Sequence, residues 1–115
     1  MKSNLLKEKS FAFSLRIIKL YKYLVHEKKE HVMAKQILKS GTSIGANIAE
    51  AQDAQSNADF IHKYNIALKE ARETEYWLRL LKESEFIEST AYESINLDCS
   101  ELLKLLVSTI KKLKV

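Results

Sequence analysis

Both glycines of this chain fall in one stretch, residues 39–53 (KSGTSIGANIAEAQD), and proline is absent throughout. Tight β-turns draw on those two residue types. With so few of them in 115 residues, the period of the apolar side chains decides the fold class, and that period is helical. Gly41, Gly45 and Ala49 recur every four residues, with Ser40, Ser43 and Ala46 beside them. A helix here has one side almost without bulk, which another helix can approach closely. A mid-helix glycine costs roughly 1 kcal/mol against alanine, so contacts within or between subunits must offset it. Ile37, Ile44, Ile48 and Ala51 form the apolar stripe beside this groove. The competing local reading is a turn at Ser40–Ser43 that splits the segment. A phosphate loop does not fit, because no lysine follows the glycines and no strand precedes them.

The rest of the chain divides into helices of matched length. Helix 1 is expected from about Lys9 to Lys28, with Phe11, Leu15, Ile18 and Val25 on one line and Phe13, Ile17, Leu20, Tyr21 and Leu24 widening it. After the charged run His26–Glu30, helix 2 carries Val32, Met33, Ile37, Ile44 and Ile48 through to about Asp53. Ser56 is a natural N-cap for helix 3, with Asp59 in its first turn, and Phe60, Tyr64, Ala67, Leu68, Ala71, Leu78 and Leu81 keep the 3.6 period. Thr90 and Glu93 have the spacing of a capping box, so helix 4 is expected to begin there and run through Ile95, Cys99, Leu102, Leu106, Ile110 and Leu113. The expectation is an all-α fold, an antiparallel up-down-up-down four-helix bundle in one domain.

Composition narrows the setting. With 46% hydrophobic and 30% charged residues the chain can bury a core and keep a solvated face. The longest uncharged stretch, Ser40–Ala49, is too short and polar to cross a bilayer, and the N-terminus lacks the apolar core of a signal peptide. Cytoplasm is the expected compartment. The lone Cys99 is expected as a small core residue.

SGTSIGANIAEA followed by ALKEARETEYWLRLL resembles the four-helix-bundle proteins encoded in intervening sequences of bacterial 23S ribosomal RNA genes, and the likeness extends from LRIIKLYKYL in helix 1 onwards. That resemblance implies a homopentamer around a central channel, no established enzymatic activity and a role in binding nucleic acid. The characteristic motif residues of that family map onto Ser43, Ile44, Asn47, Ile48 and Glu50, and onto Glu73, Thr74, Tyr76, Trp77 and Leu78. The fold is also similar to that of accessory variability proteins of diversity-generating retroelements, an analogy of fold alone.

Charge is an independent argument. Residues 1–49 hold ten Lys/Arg and three Asp/Glu, residues 50–101 five and twelve, and residues 102–115 four and none. Arg16, Lys19 and Lys22 follow at i+3 on helix 1, and Lys35 and Lys39, with Lys28, fall near one side of helix 2. In an up-down bundle Lys2, Lys7 and Lys9 come near Lys111, Lys112 and Lys114, with Glu50, Asp53 and Asp59 at the same end to neutralise part of the cluster. A basic strip suits the phosphate backbone of RNA or DNA without reading bases; the alternative is a scaffold for an acidic protein partner. No cofactor or metal is expected: a ferritin-like site needs two Glu-x-x-His pairs and two more carboxylates, and this chain offers Asp59 with His62. Asn47 and Glu50, close to the apolar stripe, are expected to find partners in Arg72 or Tyr64 and to set helix register or a subunit contact.

Overall fold

Four helices account for most of the chain: α1 (Lys2–His26), α2 (Val32–Ala51), α3 (Asn57–Glu83) and α4 (Ser89–Leu113). They come from a computed structural model that describes residues 2–114, with side chains described from Leu5 onward. The connectors, residues 27–31, 52–56 and 84–88, are five residues each. Fully extended, five residues span roughly 17 Å, too little to return along a molecule 44 Å long. Each helix must therefore reverse direction. The helices pack in sequence around a square, α1 on α2, α2 on α3, α3 on α4, with the α4–α1 seam the thinnest and, among the described residues, no close backbone approach across the diagonals. The result is the antiparallel up-down-up-down four-helix bundle.

The core is built from one stripe per helix. Leu6, Phe13, Ile17 and Leu24 of α1 meet Ile37, Ile44 and Ile48 of α2, Tyr64, Leu78 and Leu81 of α3, and Leu102 and Leu106 of α4, all buried. This corrects the expected face of helix 1: Phe11 is 66% exposed and Leu15 55% exposed. Apolar residues surround α1 almost completely, so two overlapping stripes are available, and the one that inserts Ile17 against Gly41 wins. It also draws Leu6 into the core, so the helix begins well before Lys9.

Helix ends follow their caps. Ser56 Oγ accepts from the Asp59 amide at 3.1 Å, as its position predicts. At α2 the Glu30 carboxylate takes the amides of Val32 and Ala34 at 3.2 and 2.9 Å, so a side chain of the charged run caps that helix. α2 ends at Ala51, two residues before the expected Asp53, and no turn interrupts it at Ser40–Ser43. The Thr90/Glu93 box does not form: α4 opens at Ser89 with Glu88 as N-cap and no side-chain cap bond. Ile87, 6% exposed, is held in the core immediately before it, and that anchorage sets the start of the helix.

Candidate nucleic-acid interface

The small-residue stretch is where α1 comes closest to α2. A Cβ on Gly41 would lie 2.7 Å from Ile17 Cγ1 and 2.8 Å from Cγ2, and one on Gly45 would lie 3.2 Å from the Ser10 carbonyl oxygen. Ser10 and Ser14 supply the matching small residues on α1, both bonded within their own helix. Ala49 is exposed and belongs instead to the outer rim of this contact. There Phe11, Ile18, Thr42, Gly45, Ala46 and Ala49 line a largely apolar groove of about 810 Å³.

The polar motif residues do not take the partners expected of them. Asn47, half-buried, donates to the Ser43 carbonyl of its own helix at 2.8 Å, and Ser43 Oγ donates to Lys39 at 2.6 Å. Glu50 is exposed and pairs with Lys63 at 2.9 Å, which raises the Lys63 pKa through that hydrogen bond. Neither residue reaches Arg72 or Tyr64. Tyr64 is buried against Phe60, ring centroids 4.5 Å apart, and Gln52 lies beside its hydroxyl without completing a hydrogen bond. The buried polar link between α2 and α3 is Ser40 Oγ with Thr74 Oγ1, 2.9 Å apart. It joins the two motif segments, and its signal in the sequence was that both residues fall on the apolar helical period.

Among the described residues no group of three or more His, Cys, Asp and Glu is placed to hold a metal ion. Burial, with Glu75 and Asp98 nearby, pushes the Cys99 thiol up to about 12, so it stays protonated and inert.

The basic residues divide into two settings. Arg16 turns to α4, where it donates to Asp98 at 2.7 Å and to Ser94 Oγ at 3.1 Å. Lys9 likewise pairs with Glu101 at 3.2 Å. The α1–α4 seam thus consumes the last two carboxylates of α4. Arg16 of the expected strip is thereby paired with a carboxylate, while Lys19, Lys22, Lys35 and Lys39 stay exposed without an ion pair among the described residues.

On α4 beyond Glu101 only cations remain. Lys104, Lys111 and Lys112 line a shallow groove of about 570 Å³ with Leu103, Val107 and Ser108, and Arg72 of α3 closes it from the side. All four cations are exposed, none makes an ion pair among the described residues, and no carboxylate lines the groove. Lys104, Ser108, Lys111 and Lys112 stand at i, i+4, i+7 and i+8, one face of the helix. Lys114 is exposed at the C-cap, and Lys2, expected in the same cluster, has its side chain outside the described residues. Glu50 is held by Lys63. Arg72 and Lys104 were missed because their common groove arises only when α3 and α4 are set side by side.

A small four-helix bundle with an apolar α1–α2 groove and a carboxylate-free basic face on α4 is the class defined by this geometry. The chain belongs to the 23S rRNA-intervening sequence protein family, whose model matches residues 2–108. It is similar to a protein of unknown function from the S23 ribosomal protein family of Bacteroides thetaiotaomicron, known from a crystal structure. The two are 65% identical, the match covers 96% of this chain and 99% of that one, and the TM-score is 0.95. No curated protein matches. Among the described residues no helix is long and apolar enough to cross a membrane.

Proposed function

We propose that this protein is a non-enzymatic, self-associating bundle of the cytoplasm that holds nucleic acid by its phosphate backbone. The observation that carries this reading is the distal half of α4 with its C-cap, where Lys104, Lys111, Lys112 and Lys114 are exposed and no Asp or Glu side chain follows Glu101 among the described residues. Cations set on a rigid helix without counterions are what phosphate neutralisation requires, and they bind regardless of base sequence. Self-association is supported by Phe11 and Leu15, exposed on α1, with Phe11 lining the groove on the α1–α2 face. The family resemblance puts the count at five.

Fluorescence anisotropy with a structured RNA and with duplex DNA tests the functional part. Affinity should fall steeply between about 50 and 200 mM salt and depend little on sequence. Replacing Lys111, Lys112 and Lys114 together by Gln should lower the slope of log affinity against log salt by roughly 2 to 3, with helicity retained. If the wild type binds neither probe at low salt, an acidic protein partner becomes the better reading.

A further inference from the structure

We infer that the α3–α4 groove, lined by Arg72, Lys104, Lys111 and Lys112, is the seat for consecutive phosphodiester groups, a conclusion that rests on the proposed nucleic-acid binding. Three features point to it. First, Arg72, Lys104, Lys111 and Lys112 share one groove with no carboxylate, whereas the comparable cation on α1, Arg16, is committed to Asp98. Like charges gathered in this way repel one another, and a bound polyanion relieves the repulsion. Second, the length fits. Lys104 and Lys111 lie seven residues apart, about 10 Å along the helix axis, which leaves room for two neighbouring phosphates of one strand. Third, the walls are aliphatic, Leu103 and Val107, and no aromatic side chain lines the groove. Bases therefore find nothing to stack on, and the contact is to the backbone. Arg72 adds a planar fork that grips a phosphate through two hydrogen bonds, while the lysines act as point charges.

The test compares two double variants that lose the same charge. Arg72→Gln with Lys104→Gln removes two of the four cations of the groove; Lys19→Gln with Lys22→Gln removes two exposed cations of α1. Arg72 and Lys104 are preferred to Lys111 and Lys112 because the last two sit in the final turn of α4, where they also steady the helix end. Binding is measured to poly(U) and to duplex DNA as a function of salt, with circular dichroism and melting as folding controls. The groove variant should lose roughly 2 from the duplex salt slope, at 0.9 per phosphate contact, and somewhat less with poly(U). The α1 variant should leave the slope nearly unchanged. Arg72→Lys should keep the slope and bind more weakly, since charge remains and the fork is gone. If both doubles lower the slope equally, binding is diffuse and the groove is not the seat, while nucleic-acid binding itself stands. Absence of wild-type binding to either probe would overturn the groove and the function together.

Discussion

Ile17 fills the space that a side chain at Gly41 would need, and that single contact explains why a helix interior retains its glycine. A methyl at Gly41 would meet two branches of a buried, β-branched side chain at under 3 Å, and neither branch is a free end that can swing away. Overpacking of this kind costs about 1–3 kcal/mol, against a helix-propensity gain of roughly 1 kcal/mol. Gly41→Ala should therefore lower stability in urea denaturation. Gly45 differs: its nearest contacts lie at 3.2 to 3.4 Å, so a few tenths of an ångström of give let Gly45→Ala come out near neutral. Gly45→Leu, which must push past the Ser10 backbone, should disrupt the bundle or its assembly. A Gly41→Ala protein that melts higher than the wild type would refute the tight seat. The small-residue face was legible from spacing alone. Which glycine carries the contact was not, because that depends on the rotation of α1 about its own axis.

At the level of elements, boundaries follow whatever anchors the connector more than local propensity. Glu30 caps α2 through two amides while its own amide bonds back to the Leu24 carbonyl at 2.9 Å, so one residue closes α1 and opens α2. Lys29 adopts φ of 55° just before it, a left-handed conformation that lysine seldom takes. Glu30→Ala should cost about 1 kcal/mol, seen as a lower midpoint in urea, and hydrogen exchange should rise first in the opening turn of α2. Unchanged protection there would show that the cap contributes nothing. Helix 3 was readable because Ser56 and its target amide are three residues apart. Helix 4 was not, because Thr90 and Glu93 mimic a cap while the long-range burial of Ile87 decides the start. Helix 1 shows the same limit: its apolar residues serve the core on one side and a second surface on the other, and periodicity cannot assign them.

The second surface belongs to the whole molecule. Phe11 and Leu15 leave apolar area exposed on α1, and patches of this kind mark contacts with another chain. Light scattering should give a multiple of the 13.3 kDa chain mass, with five copies the expected number. Phe11→Asp should reduce the mass toward the monomer while leaving helicity intact, since Phe11 lies outside the core. A monodisperse wild-type monomer at micromolar concentration would end the self-association reading. The basic groove, in contrast, could be inferred only in part from sequence. The lysines of α4 were visible as a run, but the withdrawal of Asp98 and Glu101 toward α1 needed the assembled bundle.

The uneven placement of charge has a kinetic consequence. Along the α3–α4 half of the molecule, Glu83, Glu85 and Glu88 gather at one end, and Lys111, Lys112 and Lys114 at the other. The bundle is 44 Å long, so its α3–α4 half carries a charge separation along the axis, offset in part at the acidic end by Lys28 and Lys82, and should turn its lysine end toward an approaching polyanion before contact. Charges screen over about 10 Å at 0.1 M salt and about 30 Å at 0.01 M, so this steering operates only in dilute salt. Replacing Glu83, Glu85 and Glu88 by Gln should leave the association rate with duplex DNA unchanged near 0.1 M. Near 0.01 M the same variant should associate faster, because the repelled end no longer turns away, and dissociation should stay as it was. An equal change at both salts would mean that the acidic end touches the nucleic acid directly.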